Sequence, residues 1–414
     1  MNQPDVARRM LDSRRSLIDP TAGKVPSRKA EAEGGCGVIG IACSEPIAGR
    51  HLLQALVQMR NRGNGKGGGA ALAGLDPAWI GVPADLLAQD YLLALAYLDP
   101  AARSAVEKEF VDGPFEIHQV REFPVARRAE WPVRPPDAVA YLVRPAPAAL
   151  ENFASRHDLQ GVAPEVLADE FVYQNSFRLN QACYASLGEK RAFVLSHGKD
   201  LLVLKMVGFG DDVIAAYQLE EARAHVWIGH HRYPTKGRVW HPGGAHPFVG
   251  LHEALVHNGD FANYASVCTY LAQHNIQPLF LTDTEVSVLV FDLLHRTFGY
   301  PLEYVMEALA PTTERDFALL PPERQSVYRM LQEVHIHASP DGPWFFLIAQ
   351  TAAGRGGRRV PRLIGITDPS MLRPQVFALQ RGDRDGPAVG FAASEKQAID
   401  AALESLAGAD PRFG

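Results

Sequence analysis

A cysteine between two glycines stands at position 36, inside the stretch "EAEGGCGVIGIAC". Cys36 separates a polar leader from a short apolar run. If the peptide bond before it is cut, the thiol and a free α-amino group share one residue. That amine has an unperturbed pKa of about 8, so it can serve as the base for the thiol at neutral pH. The alternative is that Cys36 is a small buried core residue without chemistry.

Two later segments carry polar groups that could serve such a thiol. In "HHRYPTKG", Arg232 lies at the end of a predicted strand, where its guanidinium could bind a carboxylate bidentately or form a surface ion pair. In "VHNGDF", Asn258 and Gly259 follow an apolar strand. This pair predicts either a tight turn or an oxyanion hole made of the Asn258 side-chain amide and the Gly259 N–H.

The segment "LTDTEVSVLVFDLL" predicts the start of a helix. Thr282 and Glu285 have the spacing of a capping box, and an apolar helical pattern follows. Asp283 then lies in the first turn, where the helix dipole favours any carboxylate. The alternative is that Asp283 receives the ammonium group of a substrate.

These residues must be positioned by the surrounding elements. We predict strands at "CGVIGIAC", "AHVWIGHHRYPT", "PWFFLIAQ" and "RLIGIT", and helices at "RHLLQALVQM" and "AASEKQAIDAALESLA". The run "ADLLAQDYLLALAYL" predicts a helix that ends at Asp99-Pro100. The stretch "RAFVLSHGKDLLVLKMVG" predicts a hairpin with its turn at Gly198-Lys199-Asp200.

The chain divides by composition into four parts. Residues 1–35 are polar and mixed in charge, which predicts a flexible leader that buries little surface. Residues 36–405 form the main domain, with residues 75–190 as an insertion. Residues 406–414 are expected to be a flexible tail.

Composition excludes several classes of protein. The 414 residues carry a net charge of −6 with no basic run, which argues against a nucleic-acid partner. No apolar run has the length of a membrane span or a secretory signal. The four cysteines form neither a CxxC pair nor a disulfide framework, so we expect a cytoplasmic protein.

A metal enzyme is the main alternative from another chemistry, because seven histidines fall between His225 and His257. They include no HExxH arrangement, and no cysteine joins them at zinc-finger spacing. We therefore predict no metal site and expect these histidines to be hydrogen-bonded structural residues.

Taken in order, the motifs resemble the class II glutamine amidotransferases, which are N-terminal-nucleophile hydrolases. The resemblance runs from "CGVIGI" through "RNRGNG", "HHRYPTKG", "GGAHPF", "VHNGDF" and "LTDTEV" to "DPSMLRPQV" and "AASEKQAI". It is strongest to the stand-alone amidotransferase subunits of split, glutamate-synthase-like enzymes. It implies an α+β fold, a four-layer αββα sandwich of the N-terminal-nucleophile hydrolase type with an inserted segment.

The resemblance also implies roles for five residues. Cys36 would become the mature N-terminus when residues 1–35 are removed as a propeptide, and its thiol would attack the side-chain amide of L-glutamine. Its α-amino group would accept the thiol proton. Asn258 and Gly259 would stabilise the oxyanion, while Arg232 and Asp283 would bind the α-carboxylate and the α-ammonium.

Three further residues match motif positions that shape the substrate pocket in this family: Gly63 in "RNRG", Thr235 in "RYPT" and His246 in "AHPF". The chain departs from the commoner "HRG" form by having Asn61 before Arg62-Gly63, which affects the expected loop contacts.

The resemblance leaves no room for an acceptor domain, because about 130 residues follow Asp283 and most complete the hydrolase fold. The chain also lacks a phosphate-binding glycine loop. We therefore expect no cofactor in this chain and a hetero-oligomer with a synthase subunit that receives the ammonia and carries flavin and iron–sulfur centres. The alternatives are a non-catalytic scaffold or an amidotransferase serving a different acceptor.

Overall fold

The computed structural model describes residues 3–17, 36–131, 133–233, 241–354, 358–373, 375–381 and 386–413. The strands are β1 Gly37–Ala48, β2 Gly68–Leu75, β3 Tyr91–Tyr97, β4 Phe115–Glu122, β5 Asp137–Pro145, β6 Ala192–Ser196, β7 Leu201–Met206, β8 Arg223–His231, β9 Phe248–Val249, β10 Glu253–Gly259, β11 Trp344–Ala353, β12 Arg359–Thr367, β13 Val376–Gln380 and β14 Val389–Ala393.

The helices are α1 Gln3–Ser13, α2 Gly49–Gln58, α3 Pro77–Ile80, α4 Ala84–Gln89, α5 Arg103–Phe110, α6 Pro147–Arg156, α7 Pro164–Cys183, α8 Gly210–Ala216, α9 Tyr264–Gln273, α10 Asp283–Asp292, α11 Leu302–Leu309, α12 Glu314–Phe317, α13 Pro322–Val334 and α14 Lys396–Ala409. The mixture of helices with antiparallel sheets agrees with the predicted α+β class.

The strand that follows Cys36 is central in a six-stranded sheet of order β13-β14-β1-β8-β2-β7. Strand β1 pairs antiparallel with β14 on one side and with β8 on the other. Its residues Val38, Ile39 and Ile41 are completely buried. A strand covered on both faces reads as a continuous apolar run, which is why "GVIGI" predicts it correctly.

A second sheet of order β12-β11-β10-β9 packs against the first. Alternate side chains of both sheets form a shared apolar cluster, including Val38 and Ile228 from the first sheet and Val256 and Leu347 from the second. The opposite face of the first sheet contacts α2, α8 and α14, and α10 packs on β9 and β10 of the second. The start of β1 lies beside the end of β8, and the end of β10 lies close to the start of α10.

A third sheet, of order β4-β5-β3-β6, is formed by the region around residues 75–190. It corrects two predictions. The helix expected over "ADLLAQDYLLALAYL" ends at Gln89, and Tyr91–Tyr97 form β3. Strand β3 is buried along its whole length, so its continuous apolar pattern is equally typical of a buried helix.

The predicted hairpin at residues 191–208 is also wrong. Strand β6 pairs with β3 in the third sheet, whereas β7 pairs with β2 in the first sheet. Asp200, at the predicted turn, has a positive φ of 54°. The turn residues are thus present, but they carry the chain from one sheet to another.

The described parts of the leader and of the C-terminal tail are helical and partly buried. Residues 3–17 form α1 and a 3₁₀ turn whose side chains Val6, Ala7, Met10 and Leu17 are buried. At the other end, α14 continues to Ala409, beyond the boundary expected at 405, and the Phe413 side chain is buried. Apolar residues spaced along short polar segments were sufficient to bury both ends.

Among the described residues, the structure contains no helix that combines the length and the apolar character needed to cross a membrane.

Candidate active site

Cys36 lies directly before β1 and is 8% exposed. Its Sγ accepts a hydrogen bond of 3.3 Å from the backbone N–H of Tyr233, which follows the end of β8. The pairing of β1 with β8 brings these residues together, because Gly37 lies opposite His231. Residue 35, and with it the predicted scission point, lies outside the described residues.

Burial raises the pKa of the Cys36 thiol to about 11. The Tyr233 N–H and the charges of Arg232 and Arg373 lower this pKa, whereas the charge of Asp283 raises it. The thiol is therefore protonated at neutral pH in the uncut chain, and it needs a base to become a nucleophile.

Arg232 brings a buried positive charge to the thiol. It is 7% exposed, and burial lowers the pKa of its guanidinium while the nearby Cys36 and Asp283 raise it. Its backbone N–H donates to Gly67 O at 2.9 Å, and its carbonyl accepts from Asn64 N at 3.2 Å. The "RGNGKGGG" loop thus fixes the backbone from which the guanidinium extends.

Asp283 is the first residue of α10, with Thr282 as the N-cap. The Thr282 hydroxyl accepts from Glu285 N at 3.1 Å, which confirms half of the predicted capping box. The other half is wrong, because the Glu285 carboxylate accepts from Leu279 N and Phe280 N instead. Asp283 is therefore placed by helix capping, and its carboxylate acts electrostatically on both Cys36 and Arg232.

Asn258 and Gly259 belong to strand β10 and not to a tight turn. They pair with Phe345 and Trp344 of β11, so the turn alternative is wrong. The Asn258 side chain is 0% exposed, and neither its nitrogen nor its oxygen has a hydrogen-bond partner among the described residues. A buried amide without partners costs about 1–3 kcal/mol, which suggests that a ligand satisfies it.

Gly259 has a φ of 147° and lies against the backbone of the neighbouring strand. A Cβ at this position would approach Pro343 O to 2.4 Å and Trp344 Cα to 2.7 Å. Only glycine fits there, so this close approach fixes the direction of the backbone after Asn258.

His246 and Gly63 contact the residues next to Asp283 and Arg232 in the chain. His246 Nε2 lies 2.8 Å from Thr284 Oγ1, directly beside Asp283, and its ring stacks on His230 with centroids 4.0 Å apart. A Cβ on Gly63 would lie 2.9 Å from the His231 Cβ, so glycine lets this loop pack close to the residue before Arg232. Thr235 lies outside the described residues.

The Tyr233 N–H, next to Arg232 in the chain, donates to Cys36 Sγ, and the charges of Arg232 and Asp283 shift the pKa of this thiol in opposite directions. Asn258 is connected to these residues through the preceding residue, His257, whose Nδ1 lies 3.8 Å from Asp283 Oδ1. Oppositely charged groups beside one thiol form an arrangement that can bind a zwitterionic molecule and present it to a sulfur nucleophile.

Sequence reasoning missed Arg373. Arg373 belongs to "DPSMLRPQV", one of the motifs that carry the family resemblance, but the sequence analysis gives no role to any residue of this motif. The arginine itself, a positive charge in a motif of the resemblance, is the signal that could have identified it. Its charge lowers the pKa of Cys36, and its Nε donates to Pro343 O at 3.2 Å. That carbonyl is the one against which Gly259 packs, so Arg373 links the thiol to the backbone beside Asn258.

Among the seven clustered histidines, four contact separate partners outside the cluster, His230 and His246 stack on each other, and neither ring nitrogen of His230 has a hydrogen-bond partner among the described residues. Those with measured contacts include His225 with Cys43 O, His231 with Leu56 O, His241 with Tyr184 and His252 with Asp169. Within the described ranges, no three His, Cys, Asp or Glu side chains are placed to hold a metal ion.

Comparison with known proteins gives one long match and two short ones. No family model matches the chain. A segment of 72 residues is 36% identical to a glutamine–fructose-6-phosphate aminotransferase of Campylobacter jejuni, covering 17% of this chain and 12% of that protein. A segment of 95 residues is 33% identical to the glutamine amidotransferase-like protein GlxB of Rhizobium meliloti, covering 23% and 31%. The chain is thus partly similar to glutamine amidotransferases and spans a minor share of these two relatives.

A solved glutamine phosphoribosylpyrophosphate amidotransferase of B. subtilis is 22% identical over 49% of this chain and 34% of that chain. The TM-score between the two structures is 0.32. The long match is to an uncharacterized protein of Archaeoglobus fulgidus, 30% identical over 375 residues, 90% of this chain and 88% of that protein. The chain belongs to the same protein family as this Archaeoglobus fulgidus protein.

Proposed function

We propose that the chain hydrolyses L-glutamine to L-glutamate and ammonia, with Cys36 as the nucleophile after the bond between residues 35 and 36 is cut. The observation that carries this proposal is the buried Cys36 thiol, which accepts a hydrogen bond from the Tyr233 N–H at the end of β8 and is subject to the opposite charges of Arg232 and Asp283. The partial similarity to two glutamine-dependent or amidotransferase-like proteins supports the same chemistry.

The reaction proceeds through a thioester. The free α-amino group of Cys36 takes the thiol proton, and the sulfur attacks the side-chain carbonyl carbon of glutamine. The tetrahedral intermediate collapses with cleavage of the C–N bond, and the proton goes to the departing nitrogen, which leaves as ammonia. Water then attacks the thioester, releasing glutamate and restoring the thiol and the amine.

Substrate selection follows from the two charges. The Arg232 guanidinium binds the α-carboxylate, and the Asp283 carboxylate binds the α-ammonium. A residue inside a peptide carries neither charge at its α-carbon, so the pocket prefers the free amino acid. Gly63 and His246 shape the wall of this pocket, and Thr235, which lies outside the described residues, is proposed as a further substrate-binding residue from its motif position.

Asn258 and Gly259 stabilise the tetrahedral oxyanion. The Asn258 amide is already desolvated and has no partner among the described residues, so it gains a hydrogen bond when the carbonyl oxygen becomes negative. One such donor contributes about 3–4 kcal/mol to transition-state stabilisation.

We further propose that the two packed sheets and their outer helices form the four-layer sandwich of the N-terminal-nucleophile hydrolases. The position of Cys36 at the start of a central strand of the first sheet supports this assignment. The third sheet then corresponds to the inserted segment.

The ammonia is passed to a separate synthase subunit, which is glutamate-synthase-like and carries flavin and iron–sulfur centres. This chain needs no cofactor for the hydrolytic half-reaction, because a thiol, an amine and an oxyanion hole suffice for it. The alternatives are that the chain is a non-catalytic scaffold, or that its ammonia goes to a different acceptor synthase.

An ammonia-release assay tests the proposal on protein expressed from the full sequence and purified with its main chain beginning at Cys36. We expect L-glutamine to yield equal amounts of glutamate and ammonia, and D-glutamine to yield neither. No ammonia from L-glutamine, in a preparation whose chain begins at Cys36, would identify the protein as a scaffold.

The substrate role of Asp283 gives a more specific prediction. Asp283→Asn should raise the KM for L-glutamine roughly ten- to a hundredfold with a smaller change in kcat, because a charged hydrogen bond contributes about 1.5–3 kcal/mol. The control substrate is 4-carbamoylbutanoate, which lacks the α-amino group. The wild-type protein should discriminate against it and the variant should not, so an unchanged preference would exclude the assigned role.

A further inference from the structure

Residues 3–17 of the leader pack against the part of the protein that follows position 35, which we call the body. Met10 on α1 is 1% exposed and Leu17 is 4% exposed. Residues of this segment are held by side chains from distant parts of the chain. Asn275 donates to Leu11 O at 2.8 Å, and Gln181 donates to Leu17 O at 3.1 Å.

A buried ion pair is the centre of this contact. Arg14 on the segment and Glu170 on α7 are both 0% exposed. Arg14 Nε donates to Glu170 Oε1 at 2.8 Å, and Nη2 donates to Glu170 Oε2 at 2.9 Å. The guanidinium also lies 4.5 Å from the centre of the Tyr173 ring. This bidentate geometry fixes the segment in one position.

A second arginine, Arg296 of the body, also contacts Glu170. Arg296 Nη1 donates to Glu170 Oε2 at 3.3 Å, and Arg296 also makes two hydrogen bonds of 2.6 Å to Asp292 and lies 4.9 Å from the centre of the Tyr173 ring. Glu170 is thus shared between two arginines, one from each side. If the segment left, the Glu170 carboxylate would lose one of its two cationic partners, which is costly for a buried ion pair.

Resting on the proposed function, we infer that residues 3–17 stay bound to the body as a non-covalent peptide after the chain is cut before Cys36. The segment ends 19 residues before Cys36, and every contact described above joins it non-covalently to body residues at position 170 or beyond. Scission therefore frees the Cys36 amine without removing any of these contacts. The leader acts as a lasting structural subunit whose docking site is the surface around Glu170, Tyr173 and Arg296.

The test cuts the leader independently of Cys36. A recognition sequence for a site-specific protease is inserted between Gly23 and Lys24 of the full-length protein, and the folded protein is cut and passed over a gel-filtration column in native buffer. We expect the N-terminal fragment to elute with the body in a 1:1 ratio, measured by intact mass. Elution of the wild-type fragment in the low-mass fractions would overturn the inference.

A matched pair of neighbouring arginines tests the anchor. Arg14→Met should release the fragment after cutting, whereas Arg15→Met should retain it, because the Arg15 side chain is 74% exposed and pairs only with Asp12 in the described structure. Equal retention by both variants would show that Arg14 is not the anchor. If Arg14→Met does not fold, the wild-type result alone decides. Absence of natural scission would contradict the proposed function and leave this measurement valid.

Discussion

Cys36→Ala is expected to reduce glutamine-dependent ammonia release by about 10⁴-fold or more, to the background of the assay. The variant lacks the only atom that forms the thioester, and loss of a nucleophile removes nearly all of the catalysis that depends on it. A factor of 10⁴ corresponds to about 5.5 kcal/mol of transition-state stabilisation. The initial rate of ammonia release at saturating L-glutamine measures the effect.

Cys43→Ala is the matched control for this substitution. Cys43 lies on β1, the strand that directly follows Cys36, and is buried to a similar degree, 7% exposed against 8% for Cys36. It should keep wild-type activity. Equal loss in the two variants, or an equal fall in melting temperature without a selective loss of activity, would mean that Cys36 is a structural residue.

Asn258→Ala is expected to lower kcat about 10²–10³-fold while the KM for glutamine changes little. The amide is proposed to bind the oxyanion, which exists only in the transition state, so its loss affects the chemical step. The free energy of unfolding should stay unchanged or rise, because the substitution removes a buried amide that has no partner among the described residues. Steady-state kinetics and urea unfolding measure the two effects.

Asn263→Ala should show the opposite combination. Asn263 donates to Ser339 O and accepts from Asp341 N, both at 2.8 Å, so its amide is fully used inside the structure. Its loss should lower the free energy of unfolding by about 1–3 kcal/mol and leave kcat near the wild-type value. An Asn258→Ala variant that loses stability and keeps its kcat would contradict the oxyanion role.

Local sequence predicts a secondary-structure element well where a continuous apolar run or a helix-capping residue determines that element. The strand after Cys36 and the capped start of α10 are given by short-range signals, so the positions of Cys36 and Asp283 follow from the sequence. Their proximity does not follow, because it depends on the antiparallel pairing of β1 with β8 and on the packing of α10. The motif resemblance supplied that long-range information.

The failures have the same origin. The buried strand β3 and a buried helix have the same apolar pattern, and only the third sheet distinguishes them. The leader is polar in composition, yet Arg14 is buried because Glu170, 156 residues away, completes its ion pair. Arg373 is also placed by long-range contacts. Its charge lowers the pKa of Cys36 and its Nε donates to Pro343 O, and both partners are distant from it in sequence.

The N-terminal residue of the active protein tests the central claim most directly. Intact-mass measurement under denaturing conditions, on protein that hydrolyses glutamine, should give a chain that begins at Cys36, with activity proportional to its share of the preparation. A preparation in which every chain still begins at Met1, and which nevertheless deamidates glutamine at the full rate, would contradict the account.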